Sequence, residues 1–234
     1  TDFDFVSRLM EQDGIYYYFN HFGSEGRDEK VEFCDGSGSH GPMPGESKLS
    51  YMARDQSDTQ RGDHIAEWAR MQEIRSKKVT LSDLDYRTEQ IRMQSSEIPM
   101  GERSYLTKGE IFEHPGRYTS PGRDEGAPAQ EDDLGKRRAR IWMESLAARY
   151  DLRRGAGTVR KLATGYRFTI EAEEEGSETL ENDEFLVVDA VHYLQEEGGF
   201  EEVDIRRDLV SERVEIPEGN KDIYSSTFTA MKVS

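Results

Sequence analysis

Apolar positions recur at two different periods along this chain, and each change of period marks an element. Phe5, Val6, Leu9 and Met10 fall on one face of a short helix. Asp2 and Asp4 supply N-cap and first-turn acids, and Gly14 stands where a helix takes a left-handed residue to stop. Ile15–Phe19 is too aromatic and β-rich to continue the helix. After the polar break Gly23–Lys30, the run Val31–Cys34 returns as a partner strand, so this stretch reads as a helix followed by a β-hairpin. The apolar face runs directly into the aromatic strand. That predicts helix and hairpin packed together, with Phe5, Leu9, Met10, Tyr17 and Phe19 mostly buried.

Beyond the hairpin, residues 36–45 form a loop by composition, and Leu49–Met52 is short enough for one more strand. Arg54–Asp63 and Ser120–Ala129 read as linkers, and Glu89–Ser104 as polar and irregular. Ile65, Trp68, Met71 and Ile74 recur every three residues, which on periodicity alone suggests a helix. Gln130–Asp151 is the longest helix: Ala139, Trp142, Met143, Leu146 and Tyr150 share one face. Glu131, Asp132 and Asp133 open it, and Arg149, Arg153 and Arg154 close it, as the helix dipole prefers. Trp142 and Leu146 are expected to face strands of the C-terminal half. Tyr166, Phe168 and Ile170 then alternate with polar neighbours, Glu173–Glu181 is an acidic turn, and Glu184–Tyr193 and Tyr224–Ala230 are strands.

Composition narrows the function classes. The chain has 234 residues and a net charge of −17, from 48 acids against 31 Lys plus Arg. Nucleic acid and anionic membranes both require a basic footprint, so neither is expected as a partner. The basic run Lys136–Arg140 reads as a solvated helix face. Hydrophobic residues make up 34%, low beside roughly 45–50% in typical domains (a count that includes Gly), while 10% aromatics argue for a folded but lean core. Strands with little apolar residue to cover them leave edges and faces that symmetric assembly can hide. No apolar run approaches the ~18 residues of a membrane helix, and no signal peptide is seen. The opening at Thr1 reads as mid-protein, so the chain is expected to be a fragment of a longer one.

Candidate chemistry is sparse. Cys34 is the one cysteine, which excludes an internal disulfide and a Cys-based zinc site; it reads as a buried structural thiol. His21, His40, His64, His114 and His192 show no i, i+4 pair. His64 and Glu67 have an HxxE spacing, but a metal would need two further ligands. His192 follows an apolar strand and reads as a satisfied structural histidine. Glu171, Glu173, Glu174, Glu175 and Glu178 could suggest a glycosidase pair, yet no apolar residues surround them to raise a pKa. G-x-S-x-G does not occur, nor does G-x-x-x-x-G-K-[ST] or a G-x-G-x-x-G between strand and helix that would cradle a phosphate, so the glycines of residues 36–45 read as a surface loop. No residue is assigned as catalytic, cofactor-binding or metal-binding, and no cofactor or enzymatic activity is expected.

The run Phe3–Phe19, FDFVSRLMEQDGIYYYF, resembles the signature of the VgrG family, the spike-hub proteins of type VI secretion, and of related hubs in contractile phage tails. Four further segments carry the resemblance: Lys77–Tyr86 is similar to a G-K-V-T-L-x-D-x-D-Y element, with Ser76 departing from the usual turn residue. Glu110–Tyr118 is a partial match to Y-x-Y-P-G-R-Y, Gly165–Ile170 is similar to the G-Y-R-F-T-L strand, and Glu184–Tyr193 to E-Y-L-V-x-x-V-x-H. The resemblance places an extended segment, not a helix, before residue 77.

The resemblance implies an α+β chain, mainly antiparallel β, with two barrel-like β subdomains, one long helix and a short N-terminal helix. On it we divide the chain into residues 1–60 (helix plus hairpin), 61–126 (strand-rich) and 127–234 (long helix plus second barrel-like subdomain). It implies a homotrimer that caps an Hcp-like tube, carries a β-helical spike and contacts baseplate components, effectors or a spike-tip protein. It also implies assembly in the bacterial cytoplasm followed by translocation out of the cell. A phage or prophage tail hub shares these mechanics, and a carboxylate- or metal-dependent hydrolase is the alternative from another class.

Overall fold

The computed structural model describes residues 1–21, 29–52, 62–85, 89–97, 109–119, 128–172, 183–194 and 224–233. The acidic turn Glu173–Glu181 and most of the polar segments 23–30, 54–63 and 120–129 lie outside these residues. The chain forms two compact units, each drawn from several segments: residues 1–18, 31–39 and 71–152, and residues 19–30, 40–70 and 153–234. Among the described residues its elements are mostly strands with two α-helices.

In the first unit, helix α1 (Asp2–Asp13) is capped by Thr1, whose hydroxyl accepts from the Asp4 amide while the Asp4 carboxylate bonds back to Thr1. Gly14 ends it at φ 75°, a left-handed conformation that glycine adopts without a Cβ clash. Strands β1 (Tyr16–Asn20) and β2 (Lys30–Cys34) follow as the expected hairpin. Helix and hairpin do touch, since the rings of Phe3 and Tyr17 meet edge to face at 6.4 Å. The expected burial is corrected, however. No residue of α1 is buried, and Phe5, Leu9 and Phe19 are all exposed.

A three-stranded sheet, β6-β5-β7, fills the rest of this unit. Strand β5 (Lys78–Asp85) pairs antiparallel with β6 (Gln90–Glu97) and parallel with β7 (Glu110–Glu113). Glu89–Ser104 is therefore not irregular throughout. Its strand escapes a hydrophobic reading because the polar residues point inward: Arg92 pairs with Asp85 at 3.3 Å and with Asp132 at 3.5 Å, while Ile91 and Met93 point out. Helix α2 (Pro128–Ala148) covers the sheet's inner face. Val79, Leu81, Tyr118, Ala139, Met143 and Tyr150 are buried together, with Trp142 and Leu146 packed against them. Trp142 and Leu146 thus belong to a core shared with β5, and the expectation of C-terminal strands is corrected. So is the helix end, because Arg153 and Arg154 lie in a strand and the last turn carries no base.

The turn after β7 is tied down by Asp83. Its Oδ2 accepts the amides of Tyr118 (2.8 Å) and Thr119 (2.9 Å), and the Tyr118 hydroxyl donates to the Arg92 carbonyl at 2.7 Å. Burial, aided by the nearby Asp83 charge, pushes the Tyr118 phenol from 10 up to about 12. Between those values the unfolded chain has released this proton and the folded one has kept it, so stability falls as pH rises. Tyr118→Phe removes both the hydroxyl bond and this titration. It is expected to unfold more readily at neutral pH by about 1 kcal/mol, with a shallower loss of stability above pH 10. Urea melts across pH 8 to 11.5 check it, and parallel slopes for parent and variant would contradict the assignment.

The second unit is a closed six-stranded barrel in the order β10-β11-β8-β4-β3-β9. Its strands are β3 (Lys48–Tyr51), β4 (His64–Gln72), β8 (Asp151–Gly157), β9 (Arg167–Ala172), β10 (Glu184–Leu194) and β11 (Tyr224–Lys232). The three-residue recurrence at Ile65, Trp68, Met71 and Ile74 is thus a strand up to Gln72 and not a helix. Strand β3 pairs parallel with both β4 and β9, while β10 runs antiparallel to β9 and β11. Trp68 packs against Phe168, Phe185 and Phe228 with ring centroids 5.0–6.1 Å apart. Such clusters contribute beyond their buried area. Arg153, 1% exposed, sets its guanidinium carbon 5.8 Å from the centre of the Phe185 ring. Of the two barrel-like subdomains expected, this one is closed; the other unit shows, among the described residues, an open sheet under α2.

Candidate assembly surface

The groups that could do chemistry are placed apart. His64 and Glu67 sit in β4, where residues three apart point to opposite faces, so their spacing cannot converge on one ion. His64 is buried, with Nδ1 3.0 Å from the Gly62 carbonyl and 3.2 Å from the Thr158 hydroxyl. His40 is buried and donates from Nδ1 to the Gly165 carbonyl at 2.8 Å. His114 reaches the Ser82 carbonyl at 3.1 Å, and His21 lies 3.5 Å from Glu29 at the surface. Tyr224 donates to the Val159 carbonyl at 2.9 Å, which leaves its oxygen to accept from His192 Nδ1–H. Partial burial lowers the His192 pKa, opposed by a backbone hydrogen bond at Leu162. Cys34 is a buried free thiol. Glu171 pairs with Lys48 at 2.7 Å, whereas Glu173, Glu174, Glu175 and Glu178 lie outside the described residues. Among the described residues no group of three or more His, Cys, Asp or Glu is close enough to hold a metal. The helix run Lys136–Arg140 is engaged locally: Arg140 pairs with Glu144 at 2.7 Å, and Arg138 donates to the Arg117 carbonyl.

What the first unit does present is apolar surface. One face is built by α1 and the hairpin. Phe3 and Phe33 are 63% and 66% exposed, and Tyr17 touches both rings, at 6.4 and 6.2 Å. Val6, Leu9 and Phe5 continue this face round the helix, with the Arg8 guanidinium lying 5.5 Å from the Phe5 ring centre. Val31 extends it along β2. The second face is the side of the β6-β5-β7 sheet turned away from α2. Register sets Ile91 opposite Leu84 and Met93 opposite Ser82, while Phe112 lies beside Thr80. Ile91 and Met93 are 67% and 63% exposed, and Leu84 and Phe112 are exposed with them. Thr80 and Ser82, between them, are buried. The composition had suggested unsatisfied faces in general; it gave no way to say which, because β6 hides its polar residues and shows its apolar ones.

Comparison with known proteins agrees with a structural role. A family model described as the phage tail baseplate hub matches residues 1–198. Two spike proteins of the type VI secretion system in Pseudomonas aeruginosa are similar in sequence. VgrG1b is 33% identical over 205 residues, covering 85% of this chain and 25% of its own; VgrG1a is 30% identical over 200 residues, covering 84% and 28%. The chain thus spans about a quarter of the length of these curated relatives. Among solved structures, a tail protein from Neisseria meningitidis MC58 shares the fold at a TM-score of 0.51 and 9% identity, covering 99% of this chain and 54% of that one.

Proposed function

Because the chain belongs to the phage tail baseplate hub family, we propose that it is the hub region of a type VI secretion spike, working as a mechanical adaptor and not as an enzyme. The match over residues 1–198, joined to 33% identity with a VgrG spike protein, carries this reading. In it three copies form a closed ring that caps an Hcp-like tube, seats a β-helical spike and sits among baseplate components. The assembly is built in the cytoplasm and driven out of the cell with its effectors or spike-tip protein. In this reading the chain has no catalytic, cofactor or metal site of its own.

The experiment is a gene deletion in the parent bacterium combined with light scattering on the full-length protein. Loss of the tube protein from the culture medium and a concentration-independent trimer are expected. A monomer or dimer, or undiminished release of the tube protein with no second spike gene to replace it, would overturn the reading. A phage or prophage tail hub remains the second reading because the matching family model is that of a phage tail protein. Recovery of the protein in sedimentable, DNA-containing particles would favour it.

A further inference from the structure

We infer that the two exposed apolar faces of the first unit are the two halves of one head-to-tail contact between copies of this chain: the aromatic face of α1 and β2 on one copy seats on the Leu84–Ile91–Met93–Phe112 face of the next. The inference rests on reading the chain as a subunit of a symmetric hub, and it names the surfaces that would join the subunits.

The layer order gives the direction. Gly14, at the end of α1, lies against Ile141 of α2, such that an added Cβ would sit 3.2 Å from it. Ala139 and Met143, on the opposite side of α2 by helical spacing, are buried in the core with Val79 and Leu81 of β5. Helix α2 is therefore the middle layer, and the α1 face and the outer sheet face lie on opposite sides of the unit. A patch on one side that fits a patch on the other makes a heterologous contact, and repetition of it closes into a ring where the rotation allows.

Size points the same way. With aliphatic and aromatic side chains of about 150–220 Å² each, the exposed fractions of Phe3, Phe5, Val6, Leu9, Val31 and Phe33 sum to roughly 600 Å². That is at the upper limit for a patch left bare on a monomer. The sheet face adds roughly 400 Å², so a contact joining them buries about 1,000 Å², the lower bound of a specific interface. A chain of net charge −17 repels its own copies over most of its surface. These faces are where like copies meet with least repulsion.

The test uses the full-length protein and two exposed substitutions, Phe33→Glu on the aromatic face and Ile91→Glu on the sheet face, with circular dichroism confirming the fold. If either fails to fold, Phe3→Glu or Met93→Glu replaces it. Each variant alone is expected to fall from trimer to monomer in light scattering. An equimolar mixture is expected to form a dimer and nothing larger, because only one intact pair of faces remains between them. Trimers that persist in the variants would overturn the inference while leaving the hub reading in place; that includes the case in which further parts of the same polypeptide cover these faces. Monomers that fail to pair on mixing would overturn the head-to-tail geometry. A monomeric parent protein would overturn the hub reading itself and this inference with it.

Discussion

Replacing Gly157 with alanine is expected to cost the barrel unit more than about 3 kcal/mol, beyond the usual range for overpacking. A Cβ built at this position would lie 2.1 Å from the His64 carbonyl oxygen and 2.9 Å from the Ile65 Cα. Both obstacles are backbone, so no side-chain rotation relieves the clash. Strand β8 must move off β4, and the neighbouring Thr158 amide bond to the His64 carbonyl, 2.9 Å long, moves with it. Gly155, two residues earlier on the same face, is the internal control. A Cβ there would meet the Phe228 ring at 2.2 Å, but a ring can tilt, so Gly155→Ala is expected to cost less, about 1–3 kcal/mol. The two tryptophans let the units be followed separately. Trp68 lies in the barrel's ring cluster and Trp142 packs against α2's core, so urea melts of a Trp142→Phe background report the barrel alone. Separate probes matter because a chain of two units need not unfold in one step. Equal melts for parent and Gly157→Ala, or a larger effect at Gly155, would contradict the close approach of β8 and β4.

What could be read from the sequence followed how local its signal was. The first-turn acids, the left-handed Gly14 and the aromatic run after it fix α1 and the hairpin within about twenty residues, and these were legible, although the cap itself is Thr1 and not Asp2. The helix α2 was legible too, because its apolar face spans three turns, but its partner was not: a stripe at 139, 142, 143 and 146 says that something covers it, and the choice of β5 over the C-terminal strands is made by pairings far away in sequence. Strand β4 imitates a helix because Ile65 and Trp68 serve opposite faces of the strand, while Met71 and Ile74, which complete the three-residue recurrence, are exposed. Strand β6 inverts the usual rule, turning Arg92 inward to the Asp85 and Asp132 carboxylates. The same inversion concealed the sheet face of the candidate contact. The α1 face misled in the opposite sense: an apolar stripe predicts burial, and local pattern cannot tell a core from a surface that awaits another chain. The family resemblance supplied what pattern could not, namely that the role is structural, and the matching hub model bears it out.

The second large effect is expected at Met143. It is 0% exposed, at the centre of the cluster formed by Val79, Leu81, Tyr118, Ala139 and Tyr150. Met143→Ala leaves a cavity between α2 and β5 that neither element can close by rotation, because the Asp83 bonds to Tyr118 and Thr119 hold the far wall. A loss of about 2–5 kcal/mol follows for a buried Met-to-Ala change. Leu146, one turn along, is only partly buried, so Leu146→Ala is expected to cost less, about 1–2 kcal/mol, in proportion to the smaller area returned to water. The comparison separates two accounts of α2. If the helix is held by the β5–β6 sheet of its own chain, the order is Met143 above Leu146, and both losses are independent of protein concentration. If instead its apolar face were completed by another subunit, Leu146 would match or exceed Met143, and both effects would shrink on dilution, because the diluted parent loses the contact that the variants already lack. Urea melts followed by Trp142 fluorescence, repeated across a hundredfold range of protein concentration, decide between them. The buried cluster around Met143 supports the first outcome, because it is complete within one chain.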